Sequence, residues 1–213
     1  MAYSTHMAAA LSGATVNQLR SWRINRGAKG QFLMPELGTR PRAAYSFRDV
    51  LALRTCVRLR QDFSLQKIRT AIGTLRGLGE TAHLASYQLV TDGSSIVLYD
   101  DEHPTDLLDR PGQRVVATLT DILEPFAPRP GVVVPHLLHP TTHVAVDPAN
   151  QGGHPVITGT RVPYEAVAEL LEDGVPLERI PDYYPAVTVD AARDAAGFAR
   201  YVDSYLPSGS RAS

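Results

Sequence analysis

Three helix starts written into the first 79 residues constrain this chain more than any other feature. Thr15-Val16-Asn17-Gln18 is a capping box: the Thr15 hydroxyl accepts from the third helical amide, and the Gln18 side chain reaches back to the cap. Ser46-Phe47-Arg48-Asp49 repeats the signature, with Tyr45 placed to staple onto Val50 one turn in. Phe63-Ser64 repeats it again, with Phe63 placed to meet Ile68, and the helix that follows runs to Leu78 and stops at Gly79. Ahead of Thr15, the apolar run from Met7 to Leu11 and the Ser12-Gly13 turn supply the first half of a helix-turn-helix. Between the second and third helices, Gly27, Gly30, Pro35, Gly38 and Pro41 break helix. There Gln31-Phe32-Leu33-Met34 and Ala43-Ala44-Tyr45 have the composition of two short paired strands, a wing.

The charge distribution divides the chain at about the same place. Residues 1–80 hold 2 Lys and 11 Arg against 4 acidic residues, a net of +9, whereas residues 81–213 hold 8 Arg against 18 acidic residues, a net of −10. A basic first part fits a polyanion such as DNA, and an acidic second part avoids phosphates. From Thr15 onward, Val16, Leu19 and Trp22 fall on one helical face and leave Asn17, Gln18, Arg20, Arg23 and Asn25 on the others. Arginine forks match phosphate oxygens or guanine, and Asn or Gln amides match adenine. Asn17, Gln18, Arg20, Arg23, Arg26, Lys29, Arg40, Arg42 and Tyr45 are the candidate DNA-binding residues.

The middle of the chain changes character. Tyr87–Thr91 and Ser95–Tyr99 flank Asp92-Gly93-Ser94 as a β-hairpin, Val115–Leu119 reads as a third strand, and Asp121 to Phe126 reads as a brief helix before Pro128 and Pro130. His136, His139 and His143, with His154 farther on, invite a metal reading because imidazole is a common ligand. Pro135 and Pro140 break any helix that would align the first three, and no carboxylate joins them locally, so neither a metal site nor a cofactor is expected. Cys56, the only cysteine, excludes a disulfide framework within one chain and fits a reducing compartment, the cytoplasm. No run of about 20 apolar residues is present, so no membrane partner is expected.

From His154 to Pro163 the order is a strand, a turn at Gly159 and a helix start at Pro163. Val167, Leu170 and Leu171 line that helix, Gly174 ends it, a short helix opens at Pro176–Ile180, and Thr188 caps a last helix lined by Ala192, Ala195, Ala199 and Val202. The expected fold is mainly α with small β elements, an α+β class. It comprises a winged helix-turn-helix over 1–79, a hairpin-containing connector over 80–143, a helical helix-turn-helix-like domain over 144–206 and a flexible tail over 207–213.

Two stretches resemble known families. Met7-Ala8-Ala9-Ala10-Leu11-Ser12-Gly13-Ala14-Thr15, Leu19-Arg20-Ser21-Trp22, Tyr45–Val50 and Phe63–Ile68 together resemble the MerR winged-helix pattern in order and spacing. Strand character from Tyr87 replaces the long dimerising helix of that family, and a single cysteine is too few for its metal sensors. Pro155-Val156-Ile157-Thr158-Gly159-Thr160-Arg161-Val162-Pro163 and Tyr184-Pro185-Ala186-Val187-Thr188 resemble a small family of helix-turn-helix variants that occurs in antitoxins; Pro181 departs from its pattern and shortens the middle helix. A MerR-like head on such a tail resembles VapB-type antitoxins, whose toxins are PIN-domain ribonucleases.

The resemblance implies a DNA-binding homodimer on its own operator that also neutralises a PIN-domain toxin, with Arg161 or Arg211 placed among the toxin's metal-binding acids; for Arg161, which sits at a turn, hydrogen bonding to local carbonyls is the other reading, and the residues favour it. The alternative is a stand-alone MerR-like transcription regulator that responds to a small effector. No nucleophile, base and orienting group stand at a recognisable spacing, and no phosphate loop is present, so no enzymatic activity is expected.

Overall fold

Local capping sets the helices of the basic half. The Thr15 hydroxyl accepts from the Gln18 amide at 3.1 Å while Gln18 Oε1 accepts from the Thr15 amide at 2.7 Å, which starts α2 (Val16–Arg23). Ser46 and Asp49 make the same reciprocal pair at the start of α3 (Phe47–Asp62), and Ser64 accepts from Lys67 at the start of α4 (Leu65–Gly77). The first helix, α1 (Thr5–Ser12), starts earlier than the apolar run indicated, because the Ser4 hydroxyl caps it by accepting from Met7. The computed structural model describes residues 2–24, 33–77, 88–91, 96–99, 105–108 and 122–206.

The protein is a mainly helical α+β fold with small antiparallel sheets. β1 (Gln88–Thr91), β2 (Ile96–Tyr99) and β3 (Thr105–Asp106) form a three-stranded sheet, and β4 (Phe126–Arg129) pairs with β5 (Val132–Val134) across Gly131. β1 and β2 pair antiparallel as the expected hairpin requires, whereas Tyr87, the connection 92–95 and the strand expected over 115–119 lie outside the described residues. The brief helix expected over 121–126 is not formed: Ile122 and Leu123 make a turn, and Phe126 begins β4. Pro128 sits within β4, a place open to proline in a two-stranded ribbon that has only edge strands.

The wing is not a strand pair in the described residues. Residues 25–32 lie outside them, Leu33 and Met34 are not in a strand, and Tyr45 instead bridges Tyr3, with N–H to carbonyl distances of 2.8 and 3.0 Å. The buried Asp49 carboxylate accepts from both the Ser46 and Glu36 amides, so one side chain caps α3 and pins the loop that precedes it.

The second half follows its sequence closely. β6 (Val144–Ala145) pairs with β7 (Val156–Ile157), and α5 (Tyr164–Glu172) ends at Gly174, whose φ of 89° only glycine adopts without strain. A 3-10 turn over Leu177–Arg179 leads into the four-residue α6 (Ile180–Tyr183), short as Pro181 indicated, and Thr188 caps α7 (Val189–Asp203) by accepting from Ala191. α5 packs on α7, and α7 also packs on α1, so one hydrophobic cluster runs from Tyr3 to Tyr205 through both halves. None of the described helices is long and apolar enough to cross a membrane.

Candidate nucleic-acid interface

α2 lies with Leu19 and Trp22 in the core, at 1% and 3% exposure. That anchoring turns Asn17, Arg20 and the half-exposed Ser21 outward at spacings of three and four residues, one strip of helical surface, and the exposed Ile24 follows where the chain leaves the helix. Asn17 and Arg20 are exposed, and Arg20 makes no ion pair with any described residue. Gln18 is half-buried and its amide oxygen is committed to the capping box, which corrects its assignment as a free reader of base edges.

Arg40 and Arg42 are exposed on a loop closed by the Ala44 amide donating to the Gly38 carbonyl at 3.0 Å. Like Arg20, neither makes an ion pair with a described residue. The base of this loop is further tied by Glu36, which accepts from the Ser46 hydroxyl and pairs with Arg48 at 3.2 Å. An ordered basic loop therefore stands where a paired wing was expected. Arg26 and Lys29 lie outside the described residues.

Tyr45 does not belong to this surface. Its side chain is 3% exposed; burial pushes its hydroxyl above the ordinary range, opposed in part by the half-buried Arg23 guanidinium beside it. Arg23 thus has a structural neighbour and presents less of its fork to solvent than Arg20 does. The basic excess of the first half also overstates the cations available to DNA, because Arg54 on α3 is fully buried. Its guanidinium donates to the carbonyls of Leu11, Ile122, Leu123, Glu124 and Pro135 at 2.6–3.1 Å and lies 5.0 Å from the Phe126 ring centroid.

The other candidates fall on the acidic half. Arg161 is exposed in a turn whose shape is set by Thr160: its hydroxyl donates to the Ile157 carbonyl at 2.8 Å and accepts from the Val162 amide at 3.0 Å. Asn150 holds the Thr160 carbonyl from the other side at 3.0 Å. Arg161 makes no hydrogen bond or ion pair with a described residue, so the local carbonyls do not occupy it. Arg211 lies outside the described residues.

The histidines separate. The His136 and His139 rings stack with centroids 5.6 Å apart, while His143 turns to Asp194 on α7 at 2.9 Å and His154 to Glu165 on α5 at 2.8 Å. Burial raises the Asp194 pKa, but the side-chain and backbone hydrogen bonds from His143, with one from Thr141, outweigh it and leave the carboxyl below its ordinary value. No three His, Cys, Asp or Glu side chains converge as a metal site among the described residues.

Residues 144–199 match a family model described as "Protein of unknown function (DUF433)". The crystal structure of Rv2018 from Mycobacterium tuberculosis is similar in fold, with a TM-score of 0.52 at 20% identity over 91% of this chain and 96% of that chain. No curated protein matches this chain.

Proposed function

We propose that this protein is an antitoxin: it binds its own operator as a homodimer through α1, the Gly13 turn and α2, and it neutralises a PIN-domain ribonuclease through the unit that carries the Arg161 turn. The observation that carries the DNA half is the outward strip of Asn17, Arg20 and Ser21 on a helix locked into the core by Leu19 and Trp22. A rigid helix with an arginine fork and an amide at adjacent surface positions suits a major groove, where Arg pairs with guanine and Asn with adenine. Arg40 and Arg42, on their closed loop, suit the flanking phosphates, which position the helix without reading sequence. Paired half-sites call for two copies related by a two-fold axis.

The toxin half rests on Arg161, a solvent-facing guanidinium on a turn that Thr160 and Asn150 hold in place. A PIN-domain nuclease gathers carboxylates around a divalent metal, and a guanidinium set among them pairs with the carboxylates the metal requires. In this reading the chain performs no turnover, requires no cofactor and works in the cytoplasm.

The DNA half is tested by titrating the full chain on the DNA upstream of its gene. Arg20→Ala is expected to weaken binding about 5- to 150-fold at fixed salt, the range for loss of a bidentate base contact. Equal affinity of Arg20→Ala and wild type would remove α2 as the reading helix.

A further inference from the structure

A helix leaves its last four carbonyls without intrahelical donors, and that end carries partial negative charge. In α1 these are Ala9, Ala10, Leu11 and Ser12, immediately before the turn into α2. The Gly13 amide serves Ala9 at 2.8 Å, and Arg54 serves Leu11 at 2.7 Å. The Ala10 carbonyl receives the Tyr201 hydroxyl of α7 at 2.9 Å, and the carbonyl of Gly13, the capping residue after the helix, receives Arg129 of β4 at 3.2 Å. These last two donors come from 191 and 116 residues away in sequence.

The donors are themselves set by rings. His154, which precedes the Pro155–Pro163 stretch, lies against Tyr164 with centroids 6.4 Å apart; Phe198 meets Tyr164 edge-on at 4.8 Å and stacks on Tyr201 at 6.1 Å. Tyr205 meets Tyr201 edge-on at 5.6 Å, and the Arg129 guanidinium sits 5.7 Å from the Tyr205 ring centroid. The ladder thus runs from the strand before the Arg161 turn to the turn before α2. Burial, with the neighbouring Tyr205, raises the Tyr201 pKa and keeps its hydroxyl a donor.

We propose that Tyr201 and Arg129 are positioning residues for the DNA-reading helix: the acidic half caps the end of α1 and so sets the direction in which α2 leaves the Gly13 turn. This rests on the DNA-binding reading of α2.

The test uses full-length Tyr201→Phe, which deletes one hydroxyl and keeps the ring ladder, and Arg129→Met, which keeps most of the side-chain bulk. Each is expected to speed amide hydrogen exchange at Gly13–Thr15 about five-fold, on the scale of one lost hydrogen bond. Each is also expected to weaken binding to the upstream DNA about five-fold while leaving the salt slope unchanged, because no phosphate contact is lost. Arg129→Lys, which restores a cation over Tyr205, is expected to recover part of both effects. Unchanged exchange in both variants overturns the proposal, as does faster exchange with unchanged DNA affinity. A slope reduced by about one in Arg129→Met overturns it in favour of a direct phosphate contact. If the wild-type chain does not bind the DNA, the reading of α2 fails and the exchange rates alone decide whether the acidic half holds the turn.

Discussion

Replacing Arg54 with Met is expected to cost about 4 kcal/mol of stability, the scale for removing a buried, multiply hydrogen-bonded charged side chain. The side chain has no solvent exposure and donates to five carbonyls, one at the end of α1 and four in the segment 122–135. Methionine fills much of the volume but offers no donor: the buried Leu11 carbonyl at the end of α1 and the half-buried Ile122 and Pro135 carbonyls lose the guanidinium, while Leu123 keeps the Leu137 amide and Glu124 keeps Arg58. Arg54→Lys is expected to recover only a minor share, because an ammonium has three donors on one nitrogen and cannot span carbonyls spread around a planar fork. Urea unfolding measures both. A midpoint for Arg54→Met equivalent to less than about 1 kcal/mol of loss would contradict the role assigned to this residue.

Gly13→Ala is expected to cost about 3 kcal/mol, from two separable sources. Gly13 has φ 80° and ψ −1°, a left-handed conformation that a Cβ disfavours, and that Cβ would fall 2.6 Å from Val134 Cγ2 and 3.3 Å from Pro128 Cγ. Removing the closest contact with Val134→Ala should leave the backbone share and the milder approach to Pro128. In a double-mutant cycle, the pair is therefore expected to be less destabilised than the sum of the single variants by about 1 kcal/mol. Strict additivity would mean that the turn does not press on the β4–β5 hairpin. The same close approach explains why Gly13 matters beyond its backbone freedom: it lets the hairpin support the turn between the two helices.

The features that were legible in the sequence are those whose cause is local. Thr15 with Gln18, Ser46 with Asp49, and Thr188 with Ala191 each satisfy a helix start within three residues, so pattern and structure coincide. The turn at Gly159 and the stop at Gly174 are read for the same reason. Arg54 was not legible, because its backbone partners lie 43 to 81 residues away and nothing near it in sequence distinguishes it from a DNA-facing arginine. Tyr45 lies beside arginines that suit a surface, but its place before a cap marks it as a staple, and it is buried where it bridges Tyr3. The β4–β5 hairpin was hidden by Pro128 and Pro130, although Pro130-Gly131 before Val132-Val133-Val134 is the signal that reveals it. At the candidate interface, α2 and its exposed Asn17 and Arg20 followed from helical periodicity, and the capping role of Gln18 followed from the Thr15-Val16-Asn17-Gln18 spacing.

Silencing of a nuclease by this chain is measured by co-purifying the tagged protein with the product of the adjacent gene and assaying that product for RNA cleavage with and without it. A stable complex in which cleavage is lost is expected, with cleavage returning when Arg161 is replaced by Ala while the chain stays folded. Cleavage that proceeds undiminished within the complex, or a neighbour that forms no complex at all, would contradict the antitoxin role.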